Sequence, residues 1–169
     1  MHASLTTVAA ALLFSVTLPA QKLDLNLDHL IPLAKEHTVV DLDGPQIRAA
    51  LAAAPEETRK FEAQAKQVES LQVRTFKFHN EGAYQQSDVE AIRRQLDTPG
   101  WNRIVSVREP KESVDVYLKM NGPEAGGIAV IAAEPKELTV VHIVGALGLK
   151  DLQALVSSKI AYDLSTAGK

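Results

Sequence analysis

The 169-residue sequence contains no cysteine, so it has no disulfide, no thiol nucleophile and no thiolate metal ligand. Aromatic residues are scarce, with one tryptophan, three tyrosines and four phenylalanines, and few positions can offer a stacking surface. Neither sign of charge dominates: 18 Lys and Arg face 21 Asp and Glu, dispersed along the chain. A pI near 5.9 without a basic stripe argues against nucleic acid as a partner. Gly-x-Ser-x-Gly, a Walker loop, a dinucleotide fingerprint and an HExxH helix are all missing.

Lys, Arg, Asp and Glu are missing altogether from the first twenty residues, where only His2 and the α-amino group can carry positive charge and Val8 to Leu18 is apolar except for Ser15 and Thr17 and runs into Leu18-Pro19-Ala20. This run is shorter than the roughly 20 residues of a membrane span, and a small residue at Ala20 suits signal peptidase. The pattern predicts a signal peptide over 1–20, a single domain over 21–160 and a frayed tail over 161–169, with no transmembrane segment in the mature chain. No cysteine follows the apolar run to accept a lipid. The predicted destination is the periplasm or the medium, and export without disulfides fits a bacterial envelope. A chain of this length needs only one domain and buries about two-thirds of its unfolded surface.

Along the mature chain, Leu30, Ile31, Leu33 and Ala34 predict a short helix within 28–36, and Thr38-Val39-Val40-Asp41-Leu42 a strand stopped by Asp43-Gly44-Pro45. Two helices are expected next, over 46–54 and from Pro55 to about Val68, followed by a strand over 71–79. In that strand Leu71 and Val73 keep one phase while Phe76 and Phe78 keep the other, which means a bulge or cover on both faces. Ser87-Asp88-Val89-Glu90 has the form of a capping box, starting a helix that turns Val89, Ile92 and Leu96 inward and ends at Pro99-Gly100.

From Trp101 to Val144 four short apolar strands follow one another, and two of the three joining turns are the same tetrapeptide, Glu-Pro-Lys-Glu, at 109–112 and 134–137. Proline in the second turn position suits a type I turn, and the whole reads as an antiparallel meander. Val114, Val116, Leu118 and Met120 alternate with Asp115, Tyr117 and Lys119, which predicts one core face and one wet face. The runs 128–133 and 138–144 are apolar almost without interruption, as in central strands covered on both sides. Leu149, Leu152, Leu155 and Val156 mark a closing helix. The predicted fold is therefore α+β, a two-layer domain with a mostly antiparallel sheet of five or six strands and helices packed mainly on one face.

These blocks together resemble the bacterial domain-of-unknown-function 4252 family. The similarity lies in Val39-Val40-Asp41-Leu42-Asp43-Gly44, in Val73-Arg74-Thr75-Phe76-Lys77-Phe78 followed by Glu81-Gly82-Ala83-Tyr84, and in Gly100-Trp101-Asn102-Arg103-Ile104-Val105. It continues through Glu134-Pro135-Lys136-Glu137-Leu138-Thr139-Val140-Val141 and Ile143-Val144-Gly145 to Leu149-Lys150-Asp151-Leu152. The resemblance implies a small periplasmic or secreted α+β protein and transfers no active site.

Residues with chemical potential are scattered. Asp41-Leu42-Asp43-Gly44 resembles the opening of a calcium loop, but Pro45 and Ile47 stand where further ligands belong, which favours a turn with a helix cap. His37, His79 and His142 lie in or beside predicted strands without metal-binding spacing. Trp101 with Tyr84 and Tyr117 would make a sugar-stacking platform, against the simpler expectation that Trp101 caps the core. Arg74, Arg103, Arg108 and Lys119 would line a cationic sheet face if they share one, against the ordinary expectation of solvated charges. No catalytic, cofactor-binding or metal-ligating residue is assigned, and no cofactor is expected. The sequence reads as a non-catalytic module of the bacterial envelope that binds a protein partner or an apolar ligand, with homo-oligomerisation left open. The alternative is a hydrolase or metal-dependent enzyme whose carboxylates and histidines gather from distant strands.

Overall fold

A computed structural model describes residues 22–56, 62–122 and 124–147. The expected leader over 1–20, the closing helix at 149–156 and the tail over 161–169 lie outside these residues. Lys22 to Leu27 is extended and buries every second side chain, Leu23, Leu25 and Leu27. It enters a 3-10 turn at Asp28–Leu33 that buries Leu30.

Ten-residue β1 (Ala34–Asp43) leads into α1 (Gly44–Ala52), short α2 (Glu62–Ala65) and β2 (Val68–Phe78). After α3 (Gln86–Leu96) come β3 (Trp101–Glu109), β4 (Glu112–Asn121), β5 (Glu124–Glu134) and β6 (Glu137–Leu147). The six strands form one sheet in the order β1-β2-β6-β5-β4-β3, every pair antiparallel. The segment holding α3 carries the chain from β2 to the far edge, and the meander then returns strand by strand until β6 docks on β2. Both Glu-Pro-Lys-Glu turns close two-residue hairpins, Glu109 facing Glu112 and Glu134 facing Glu137.

The main core lies between the sheet and the layer formed by α3 and the N-terminal strap. Val89, Ile92 and Leu96 of α3 and the strap leucines pack on Phe76, Phe78, Tyr117, Ile131, Leu138 and Val140. Burying each of the three α3 side chains contributes about 1.5–3 kcal/mol. The strap is held by its backbone: Gln95 of α3 accepts from the Asp24 N–H at 2.8 Å and donates to its carbonyl at 2.9 Å, while Gln72 donates to the Leu23 carbonyl.

Several elements depart from the sequence expectations. The short helix expected within 28–36 is present as a six-residue 3-10 helix, Asp28–Leu33, that ends where β1 begins at Ala34, with Pro32 withholding an N–H inside it. The helix expected to run to Val68 gives way by Val68 to β2, whose β-branched and apolar residues pair on both sides. The capping box sits two residues earlier than expected, since Gln85 rather than Ser87 is the N-cap and its N–H donates to Asp88 at 2.9 Å. In β2 the two phases mark its two faces, with Phe76 and Phe78 buried in the main core and Leu71 and Val73 half-buried on the opposite side, and the register shift falls at Val68/Ser70 instead of the centre. The largest correction concerns β4. The side expected to be wet is the helix-covered one, where Asp115 and Tyr117 are buried beneath α3 and neighbouring side chains. Arg93 of α3 makes that burial tolerable by pairing with the Asp115 carboxylate.

Candidate functional site

The face of the sheet turned away from α3 is built in rows that follow from the strand registers. Val40, Val73, Val141, Val130, Val116 and Val105 are successive cross-strand partners, so one row of six valines crosses all six strands. Beside it, Leu42, Leu71, Ile143, Ile128 and Leu118 form a second row ending at Asn102. On the other side lies Thr38, Thr75, Thr139, Ala132, Val114 and Val107, and beyond it a charged rim begins with Glu36, Lys77 and Glu137. β-Branched residues suit this surface because they pack on a pleated sheet with little rotamer loss. With strands about 4.8 Å apart and like-facing residues about 7 Å apart, the three rows span on the order of 300–400 Å² of sheet, and their centre is a second buried apolar cluster of Val116, Leu118 and Ile128. Ile128, Val116 and Leu118 are buried there, Val40, Val73, Val130, Val141 and Ile143 are half-buried, and Val105 and Val107 are exposed.

The covered face carries two polar clusters. In one, His142 is 0 % exposed, and its Nδ1 donates to Gln72 Oε1 at 2.9 Å, leaving Nε2 buried without a hydrogen-bond partner. Its ring meets that of Trp101 at 5.7 Å, over which the Lys119 ammonium also sits. Burial, with the Lys119 charge adding to it, pushes the imidazole down to about 4. Gln72 links the cluster to Asp41, which also accepts from Arg74 at 2.7 Å. Burial works to raise the Asp41 carboxyl, but hydrogen bonds from Arg74 and Gln72 prevail and hold it below its usual value.

In the other cluster, Asp115 is 0 % exposed and accepts from Arg93 Nε at 2.9 Å, from Arg108 Nη2 at 2.7 and 2.9 Å, and from Ser106 Oγ at 3.2 Å. Arg103 lies 3.8 Å away. Arg93 also donates to Glu90 at 2.6 Å, an interaction that holds the Glu90 carboxyl below its usual value.

The residues singled out in the sequence are thus partly gathered. Arg74, Arg103, Arg108 and Lys119 do share a sheet face, with Arg74 buried and the others drawn to Asp115 or Trp101. His37, His79 and His142 stay apart: His37 pairs with Phe76 on the edge side of β2, His142 faces Gln72 on its other side, and His79 follows the end of β2. Trp101 caps the core, while Tyr84 lies elsewhere, donating to the Glu134 carbonyl at 2.6 Å. The carboxylates of the suspected calcium loop are otherwise engaged, Asp41 by Arg74 and Asp43 as the cap of α1, accepting from the Gln46 N–H at 2.9 Å. Among the described residues no group of three or more His, Asp or Glu is placed to hold a metal ion, and no helix is long and apolar enough to cross a membrane.

Sequence reasoning missed the strap, although Leu-Asp-Leu-Asn-Leu over 23–27 carries the alternation that signals it. It also missed the buried roles of Gln72, Asp115 and His142, for which no local pattern exists. A family model described as a domain of unknown function (DUF4252) matches residues 34–155, starting at the first residue of β1 and excluding the strap. No curated protein and no solved structure matches the chain.

Proposed function

The chain belongs to the DUF4252 family, which prescribes no activity, and on that premise we propose that it is a non-catalytic interaction module of the bacterial envelope. The leader-like first twenty residues support export, with cleavage near Ala20. The module binds a protein partner or an apolar ligand through the sheet face opposite α3.

The observation that carries this reading is the row of six valines with its flanking Leu/Ile row, an apolar array bordered by threonines and then charge. Apolar centres with polar rims are the anatomy of recognition surfaces. The polar clusters on the covered face support the scaffold, since their carboxylates are committed to arginines of the same chain.

The test combines light scattering with binding of an apolar dye by the mature protein, repeated with Val73→Lys and Val141→Lys. The reading expects dye or partner binding by the native protein and its loss in both variants. A clean monomer that binds no dye, with unchanged behaviour in the variants, would overturn it.

A further inference from the structure

β3 is the last strand of the sheet, and every residue of it after Trp101 is exposed. Its outward backbone groups have no strand partner among the described residues. Edge strands are commonly blunted, and here the register shift between Arg103 and Val105 leaves Val105–Glu109 as the regular stretch. The two sides of that stretch differ in chemistry. Val105 and Val107, 37 % and 38 % exposed, end the valine and threonine rows of the apolar face. Arg103 and Arg108, with side chains 50 % and 46 % exposed, turn to the other face, where Asp115 holds them in place.

The charge there does not balance. Among the described residues, three guanidinium groups, from Arg93, Arg103 and Arg108, meet the two carboxylates of Asp115 and Glu90, and the two exposed arginines are both on the edge strand. We propose that the β3 edge accepts an extended acidic peptide segment of a partner protein as a seventh strand. Its acidic side chains meet Arg103 and Arg108, and its intervening valines or isoleucines continue the apolar rows past Val105 and Val107. This is strand addition, in which the backbone ladder gives affinity and alternate side chains give specificity. It rests on the interaction-module reading and names the partner's chemistry.

The charge pattern disfavours a second copy as occupant. Paired with itself, β3 would bring arginines against arginines. The β1 edge of another copy offers Asp41 and Asp43, but Arg74 and the cap of α1 already occupy them. A polyanion would use the guanidiniums and ignore both the ladder and the valines.

Fluorescence anisotropy of the mature protein with a labelled peptide alternating Glu and Val tests this, with a Lys–Val peptide and polyglutamate as controls and amide exchange as a second readout. The Glu–Val peptide is expected to bind at least tenfold more tightly than either control and to protect β3 amides. Arg103→Gln with Arg108→Gln should weaken it at least tenfold, and Val107→Ser at least threefold. Equal binding of the Glu–Val and Lys–Val peptides overturns the proposal. Equal binding of polyglutamate without protection of β3 overturns it in favour of a simple polyanion patch. Dye binding at Val73 and Val141 is measured separately, so loss of peptide binding with that signal intact refutes only the β3 assignment.

Discussion

Acidification from about pH 7.5 to pH 5 should weaken the fold through one residue, His142. In the folded chain its Nε2 is buried without a partner, and the imidazole stays neutral until about pH 4. In the unfolded chain it takes up a proton near pH 6.5. Between those values the unfolded state binds more protons, so the stability His142 contributes is full above pH 6.5 and falls with pH through the window, levelling below about pH 4. At about 1.4 kcal/mol per pH unit, roughly 2 kcal/mol is lost by pH 5, a large part of a typical 5–15 kcal/mol. With an m-value near 2 kcal/mol/M, the urea midpoint should drop by about 1 M. His142→Asn removes the titration and should flatten the response. A variant with the wild-type pH slope, or a wild-type midpoint constant to within about 0.2 M over this range, would refute the reasoning.

Three further substitutions probe the scaffold by urea unfolding. Gly145 sits at φ +151°, and a Cβ there would lie 2.2 Å from the Gln67 carbonyl oxygen, so Gly145→Ala should cost more than about 3 kcal/mol; a loss below about 1 kcal/mol would contradict the close approach. Asp115→Asn leaves Arg93 and Arg108 with a neutral partner beneath α3 and should cost about 3–5 kcal/mol; a neutral result would mean that the carboxylate is not needed for burial. Leu25→Ala should cost about 2–4 kcal/mol although Leu25 precedes the family-matched stretch, because it is buried in the main core; no loss would show the strap to be dispensable.

What could be read from the sequence was what local chemistry determines. The meander was legible because its turns repeat and its strands are apolar, and α3 because Val89, Ile92 and Leu96 recur at helical spacing. β4 misled because alternation records only that two faces differ. Asp115 and Tyr117 look like a wet face, yet long-range contacts with Arg93, Arg108 and α3 bury them. His142 and Gln72 are 70 residues apart and meet only because β6 docks between β2 and β5, a pairing that no local spacing encodes. The same long-range pairing aligns one valine from each strand into the row that defines the candidate surface. Each strand showed its own apolar phase, but the alignment needed all five registers.

Whether that surface recognises anything is tested most directly by site-specific photo-crosslinking in the intact envelope. A photoreactive side chain at Val73, in the valine row, is compared with one at Arg94, exposed on α3. A discrete adduct from position 73, absent from position 94, is the predicted result. Adducts from both positions alike, or from neither while the protein remains folded, would contradict the account.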